Sequence, residues 1–346
     1  MPTEANYFLG CDFMSLFPIK IEKPPDSSRG VFDFKFMKQQ RKQIEQHLIA
    51  KLSASMERAP FSTCRWVGSL FGLAFFGAFT RRRVIATGNL RLVYPDWSER
   101  DIVRTARRSA QNFGMSFCEF LHLGAASPRE IAAYCEWQGL EHIQAGFERG
   151  HGVLLPTAHF GAWEVMGARA AQDFPLTVVV RLTSNQALRS HIEVVREKIS
   201  VGMIHKNEPA RASMKKLHKN EGLAIFADQH AGRNGLMLPM FGFDTRFHGA
   251  PARLALATNS LIVPTFGVRR KPWLSDGRVV IRASKGILLE SKTKSREAAV
   301  LEGTQYIIAE TEERIRRNPD QWLWMHRRWR ASDWNGQENE TEGDDD

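Results

Sequence analysis

The chain has 346 residues, of which 43% are hydrophobic, and a formal net charge of +10 at pH 7. This length allows one sizeable α/β core with a helical appendage. The charge favours an acidic partner, but no zinc-finger, basic-zipper or base-stacking pattern accompanies it, so nucleic acid is not expected as a partner. No cleavable signal sequence is expected, because the first twenty residues contain Asp12 and lack a continuous apolar segment.

Changes in composition divide the chain into three parts. Residues 1–60 are predicted to be a helical or irregular segment, with a polar helical stretch from about Phe34 to Met56. Residues 61–330 form the body. Residues 331–346 include GQENETEGDDD, whose six acids predict a disordered tail. Without the stretch GQENETEGDDD the net charge rises from +10 to +16.

The first apolar stretch of the body runs from Trp66 to Phe79 without a charged residue. Its 14 residues are fewer than the roughly 18 to 20 that a membrane-spanning helix needs. Two interpretations are open: a buried core helix, or a helix in the membrane interface with its rings in the acyl boundary and the next three arginines among the headgroups. The rings are those of Trp66, Phe71, Phe75, Phe76 and Phe79.

The next predicted helix is capped by Ser98 and runs from Glu99 to Leu121. Its apolar stripe predicts a buried face and comprises Ile102, Ala106, Phe113, Phe117 and Phe120. The cysteines have no spacing typical of a metal site or a nucleophile, and we expect buried thiols in a cytosolic setting at Cys11, Cys64, Cys118 and Cys135.

Apolar runs then alternate with helical stretches. This order predicts an α/β fold with a mostly parallel central sheet flanked by helices, and with an N-terminal helical appendage. The predicted strands are VLLP ahead of His159 and residues 176–181, 223–228 and 261–269. The predicted helices between them are residues 187–199, 210–219 and 250–259.

His159 and Glu164 are the first candidate site residues. Within one helix, five residues would place them about 140° apart, so the spacing fits better if His159 ends the strand and Glu164 lies in the first turn of the next helix. Arg181 and Asp228 also fall at predicted carboxyl ends of strands, the edge where open α/β sheets bind ligands. Each of them is, taken alone, as readily a solvated strand end.

Arg196 shares a predicted helical face with Ile192, Val195 and Ile199. A guanidinium on an apolar face either extends to solvent or pairs with a buried carboxylate. We expect a pair with Asp228 or Glu164.

Several motifs together carry a family resemblance. They are RRRVIATGNLRLVYPDWSERD, HFGAWEVMG, VVVRLTSNQALRSHIEVVREKISVGMI, GLAIFADQHAG, LPMFGFDTRFHGAPARLALATNSLIVPTFGVRR and DQWLWMHRRWR. From about Gly68 to Trp329 the chain resembles the late acyltransferases of lipid A biosynthesis, the lauroyl and myristoyl transferases of the wider glycerolipid acyltransferase superfamily. Two departures are His230 and Ala231, where an acidic residue is common after D-Q, and an N-terminus without the family's hydrophobic segment.

The resemblance implies catalytic roles for His159, Glu164, Asp228 and Arg196, and substrate positioning by Arg181 and Asn185. It implies transfer of an acyl chain from a thioester, with acyl carrier protein as the expected donor, to a hydroxyl of a lipid A precursor or related membrane glycolipid. No cofactor and no metal are implied. We expect an enzyme on the cytoplasmic face of the inner membrane, peripheral or shallowly inserted. Clusters of its lysine and arginine side chains are expected to face the membrane or the carrier protein.

The residue types suggest a mechanism. His159 would take a proton from the acceptor hydroxyl, with Glu164 or Asp228 orienting its ring. Arg196, or backbone N–H groups near Gly161, could stabilise the oxyanion. The absence of a G-x-S-x-G elbow argues against a serine hydrolase.

Two other classes are open. A metal-dependent hydrolase could use His159, Glu164, Asp228 and His230, although their spacing matches no standard zinc pattern. A non-catalytic lipid-binding relative, or an acyltransferase for a different lipid, would have a similar sequence.

Overall fold

The computed structural model describes residues 50–181, 186–270, 277–290 and 295–330. The predictions for the N-terminal 49 residues, Asn185 and the acidic tail lie outside these ranges. The N-terminal helices are α1 (residues 50–57), α2 (Phe61–Ala78), α3 (Thr80–Val93), α4 (Glu99–Leu123) and α5 (Pro128–Tyr134). Ser98 caps α4 as predicted, because its side chain accepts a hydrogen bond from the backbone N–H of Asp101.

Helices α2 and α4 pack in close contact through small residues. A Cβ added at Gly68 would lie 2.4 Å from the carbonyl oxygen of Gly114, and one added at Gly72 would lie 2.1 Å from that of Ala110. Any larger side chain at these positions would force the two helices apart. Helix α2 is thus held tightly against α4.

One side of α2 agrees with the interpretation as a buried core helix. Phe75 and Phe76 are buried, so these two rings do not face a membrane interface. The opposite side of α2 exposes Trp66, Leu70 and Leu73, which we call the α2 strip. Among the described residues no helix is both long and apolar enough to cross a bilayer.

The predicted α/β fold with a parallel central sheet is confirmed. Five parallel strands lie in the order β4-β3-β5-β2-β8. They are β2 (Val153–Thr157), β3 (Leu176–Val180), β4 (Val201–His205), β5 (Gly222–Phe226) and β8 (Leu261–Ile262). The helices around the sheet are α6 (Leu140–Glu148), α7 (Trp163–Asp173), α8 (Gln186–Lys198), α9 (Ala210–His218) and α10 (Ala250–Thr258).

One predicted strand is wrong in its extent. Residues 261–269 form two strands, β8 in the main sheet and β9 (Thr265–Arg269) in a second sheet of order β1-β10-β9. Pro264 lies at the break and has no N–H to donate to a ladder. The other members of the second sheet are β1 (Cys135–Gln138) and β10 (Val279–Ala283).

The remaining elements lie near the carboxyl edge of the main sheet or cover it. Strands β6 (Leu236–Met240) and β7 (Phe243–Phe247) form a hairpin. Helix α11 (Arg296–Arg317) packs against α10 and leads through the short 3-10 helix Pro319–Gln321 to a tryptophan-rich segment. In that segment Trp322 and Trp324 are both buried, so the segment is part of the core beside the site.

The described cysteines follow the predicted pattern in part. Cys64 and Cys118 are buried free thiols, whereas Cys135 is half-buried. Burial raises the pKa of each thiol to about 12, which makes them poor nucleophiles at neutral pH.

Candidate functional site

The register of two strands brings the central pair of the site together. Strands β2 and β5 are parallel neighbours, and Thr157 at the end of β2 lies opposite Phe226 at the end of β5. His159 lies two residues after Thr157, and Asp228 lies two residues after Phe226. The two side chains therefore leave the same edge of the sheet side by side. His159 lies just beyond the strand, which ends at Thr157 and not at His159 as predicted.

Asp228 fixes the orientation of His159 through both of its oxygens. Nδ1 of His159 lies 3.0 Å from Oδ1 of Asp228, and the backbone N–H of His159 donates to Oδ2 at 2.8 Å. Nε1 of Trp322 donates to the same Oδ2 at 3.0 Å. Both His159 and Asp228 are 4% exposed. The imidazole is thus fixed to a carboxylate that is itself fixed by two further donors.

The electrostatics favour the ionised form of this carboxylate. Burial alone would raise the pKa of Asp228, but the charge of His159 and the hydrogen bonds from His159 and Trp322 outweigh burial and hold the pKa below its ordinary value. An ionised carboxylate can only accept, so Nδ1 of His159 carries the proton in this bond. In this tautomer the basic lone pair of the ring is on Nε2.

Two aromatic side chains set the plane of the imidazole. The ring of Phe226 stacks against His159 with centroids 4.4 Å apart and planes at 28°. Trp163 meets the ring edge-on, at 5.7 Å and 69°. Because these contacts and the bond to Asp228 restrict rotation of His159, Nε2 keeps one direction.

Glu164 contacts Arg196 and is not hydrogen-bonded to His159. Glu164 is in the first turn of α7, as predicted, and its Oε2 accepts from Nη2 of Arg196 near the end of α8. Nε1 of Trp163 donates to the other oxygen of Glu164 at 3.2 Å. Glu164 is 2% exposed and Arg196 5%. The predicted ion pair of Arg196 is confirmed, with Glu164 as the partner and not Asp228.

The backbone donors suggested near Gly161 are already engaged. The N–H of Gly161 donates to the carbonyl of Gln321 at 2.9 Å, and that of Ala162 donates to the carbonyl of Gly267 at 2.8 Å. Gly161 has φ +59, and a Cβ there would lie 2.0 Å from the carbonyl oxygen of Gly267, so glycine is required. These two N–H groups hold the loop after β2 in place and are not free to stabilise an oxyanion.

Arg181 lies at the same edge of the sheet, directly after β3. Lys206 occupies the equivalent position after the neighbouring β4. Burial, followed by the charge of Arg181, lowers the pKa of Lys206, so the two cations are close enough to interact. Asn185, the other predicted positioning residue, lies outside the described residues.

Two apolar spaces of very different size lie on opposite faces of the sheet. A narrow cavity of about 40 Å³ lies between α7 and the sheet and is bordered by Glu164 and Arg196. An open groove of about 770 Å³, which we call the α9–α11 groove, lies between the other face and helices α9, α10 and α11. Phe226 borders both spaces.

The described residues do not offer a metal centre. Among residues 50–181, 186–270, 277–290 and 295–330, no group of three or more His, Cys, Asp or Glu side chains could hold an ion. Nδ1 of His230 accepts from the backbone N–H of Gly232 at 3.0 Å and so closes its own turn.

Comparison with known proteins identifies a family for this chain. Residues 33–331 match the family described as bacterial lipid A biosynthesis acyltransferase. The chain belongs to this family. The predicted family is thereby confirmed, and with it the prediction of an acyltransferase at the level of the family.

The relatives found are distant in sequence. The chain is 23% identical over 275 residues to the lipid A biosynthesis palmitoleoyltransferase of Escherichia coli K12, covering 79% of this chain and 86% of that protein. It is 25% identical over 283 residues to the lauroyltransferase of the same organism, covering 79% and 87%. It is 22% identical over 163 residues to the phosphatidylinositol mannoside acyltransferase of Mycolicibacterium smegmatis, covering 46% of this chain and only 54% of that protein.

Sequence reasoning missed two features of the site. Trp322 donates to Asp228 from 94 residues away, and although it stands in the motif DQWLWMHRRWR, nothing in its spacing indicates a partner. A buried ion pair joins Arg269 to Glu119. Nη1 of Arg269 donates to Oε1 of Glu119 and Nη2 donates to Oε2, each at 2.6 Å. This pair fastens β9 to α4 behind the loop that carries His159.

Proposed function

We propose that the protein transfers an acyl chain from a thioester to a hydroxyl of a membrane glycolipid, with His159 as general base. The bond between His159 and Asp228 at the carboxyl edge of the sheet, in a member of this family, carries the proposal. Acyl carrier protein is the proposed donor, because it is acidic and the body of the chain is strongly basic. A lipid A precursor or a related glycolipid is the proposed acceptor, as in the names of the relatives.

The proposed reaction is a direct displacement. Nε2 of His159 takes the proton of the acceptor hydroxyl as its oxygen attacks the thioester carbonyl carbon. The C–S bond then breaks, and the proton passes from His159 to the departing sulfur. The products are an ester and a thiol, with no covalent acyl-enzyme. Asp228 stabilises the imidazolium that forms between these two proton transfers.

The α9–α11 groove is the proposed site of the hydrocarbon chain. In a thioester the chain begins at the carbonyl carbon itself, so an apolar space must start at the catalytic base. Phe226 borders the groove and stacks on His159, and this contact supports the placement of the chain in the groove. Its volume of about 770 Å³ lies within the range of roughly 300–1,000 Å³ typical of ligand pockets, whereas the narrow cavity of about 40 Å³ holds little more than water.

Glu164 and Arg196 are proposed to act as a unit. The guanidinium lies over the ring of Phe120, 5.3 Å from its centroid, and is fixed by Glu164. From this position Arg196 would place a positive charge near the carboxyl edge of the sheet, where the oxyanion of the thioester carbonyl develops. Glu164 is a positioning residue in this scheme.

The protein is further proposed to act at the cytoplasmic face of the inner membrane. The α2 strip supplies an exposed apolar surface, and Arg81 to Arg83 follow α2 directly. An apolar helix face beside cations is typical of proteins that lie at an anionic membrane surface.

Incubating the purified full-length chain with a lauroyl thioester and a glycolipid acceptor tests the proposal. Mass spectrometry should find the acylated glycolipid, together with one equivalent of free thiol, for the wild type and not for His159→Ala. Thioesters of acyl carrier protein and of coenzyme A are compared in parallel, and the former should be the better donor. Acylated product at the wild-type rate from His159→Ala would refute the assignment of the base.

A further inference from the structure

A lysine, an arginine and a histidine border the α9–α11 groove. Lys206 follows β4 directly and His248 follows β7 directly, and both border the groove. Arg253, in the first turns of α10, borders it as well. A Cβ added at Gly249 would lie 3.2 Å from Nη1 of Arg253, so this guanidinium lies beside the residue that follows His248. We call Lys206, His248 and Arg253 the groove cluster.

The groove cluster lies in a positive field. Burial, followed by the charge of Lys206, lowers the pKa of His248 to about 4. Arg328 and His230 add to this shift, and Arg181 lowers the pKa of Lys206 in turn. Groups that depress one another's pKa in this way repel one another when charged. A bound anion would relieve that repulsion.

One polar atom of the groove cluster lacks a partner in the described part of the chain. Nε2 of His248 is buried and forms no hydrogen bond there. A buried polar atom without a partner costs free energy that a ligand can recover. Glu208 and Glu297 also border the groove, and Oε1 of Glu208 accepts from the backbone N–H of His205 at 2.8 Å.

We propose that Lys206, His248 and Arg253 form a phosphate site in the α9–α11 groove, and that this site takes a phosphate group of the glycolipid acceptor. Lysine offers a compact charge and arginine a fork of donors, a combination suited to phosphate oxygens. The inference rests on the proposed function and adds a chemical requirement to it, an acceptor with phosphate near its reactive hydroxyl. Phosphate also occurs in the arm that carries an acyl thioester, so the test separates the two sources.

Binding of dodecyl phosphate to the full-length protein, measured by calorimetry below its micelle concentration, tests the site without catalysis. Each lost charged contact should weaken binding about tenfold, so Lys206→Gln/Arg253→Gln should bind dodecyl phosphate about a hundredfold more weakly. Neutral dodecyl maltoside should bind this variant and the wild type alike. The matched control is Arg211→Gln/Lys215→Gln on exposed positions of α9, which removes equal charge and should bind both probes as the wild type does.

Equal weakening in the control would overturn the site in favour of the general charge of the protein, as would unchanged binding in the groove-cluster variant. Thermal unfolding of both variants checks that each is folded before its binding is compared. His248→Asn, which removes no formal charge, should weaken dodecyl phosphate binding as well.

Transfer kinetics identify the source of the phosphate. The groove-cluster variant should raise KM for the glycolipid and leave KM for the thioester unchanged. A rise in KM for the thioester alone would overturn the assignment to the acceptor. A protein that binds dodecyl phosphate through the groove cluster but transfers no acyl chain would refute the proposed function and leave the phosphate site standing.

Discussion

At the scale of single residues, the two carboxylates of the site have different partners. Both Asp228 and Glu164 are candidates to orient His159 from the sequence, since each falls near the same edge of the sheet. The structure bonds Asp228 to the imidazole and Glu164 to Arg196. The difference arises from the register of β2 and β5, which places Asp228 beside His159. Glu164 lies in the first turn of α7, and its side chain points toward α8.

The ion pair of Glu164 and Arg196 makes a testable contribution to stability. Removing one partner leaves a buried charge alone, which costs roughly 3–5 kcal/mol, whereas replacing both by apolar side chains is often neutral. Glu164→Gln should therefore lower the unfolding temperature clearly, and Glu164→Leu/Arg196→Met should restore most of it. Differential scanning calorimetry makes the comparison.

A matched control for this pair is Arg189→Met, because Arg189 forms an ion pair with Glu193 on the surface of the same helix α8. Exposed pairs contribute about 0–1 kcal/mol, so this change should have little effect on unfolding. If Glu164→Gln had the same unfolding temperature as Arg189→Met, the buried pair would not contribute to stability as expected.

At the scale of elements, the sequence predicts the strands and helices where apolar runs alternate regularly with helical stretches. It misses the elements that interrupt this order. The runs of β2, β3 and β5 are continuous and apolar, as expected for strands buried on both faces. Strand β4 was missed because its sequence VGMIH includes Gly202 and His205, which interrupt the apolar run. Residues 261–269 are as apolar as the other strands, but the pattern does not show that Pro264 divides them between two sheets.

The sequence also did not show which side of helix α2 is buried. The exposed side of this helix offers a test of membrane binding. The rings of Phe75 and Phe76 face the core, whereas the α2 strip faces outward. Electrostatic attachment is screened within about 3 Å in 1 M salt, but buried apolar area is not. Part of the wild type should therefore stay on vesicles of phosphatidylglycerol in 1 M salt, whereas Trp66→Ser/Leu70→Ser/Leu73→Ser should be released.

Sedimentation of the vesicles measures both proteins. Leu301→Ser, at a partly exposed apolar position on α11, is the matched control and should behave as the wild type. Complete release of the wild type by salt would contradict insertion of the α2 strip. Failure to bind vesicles even at low salt would contradict the membrane location itself.

At the scale of the whole molecule, the site joins parts of the chain that lie far apart in sequence. His159 and Asp228 are 69 residues apart and Trp322 lies 94 residues beyond Asp228. The sequence supplies His159, Asp228 and the family, because these residues stand in motifs of fixed order. It does not supply the donor Trp322 or the groove, which depend on how α11 and the segment after it close over the sheet.

The most direct test of the account is the rate of acyl transfer by Asp228→Asn, with the imidazole of His159 left in place. Asparagine cannot stabilise the imidazolium as a carboxylate does, so kcat should fall by roughly a hundred- to ten-thousand-fold with KM little changed. Asp244→Asn, on the exposed hairpin, is the matched control and should keep wild-type kinetics. A folded Asp228→Asn protein with kcat near that of the wild type would contradict the proposed roles of His159 and Asp228.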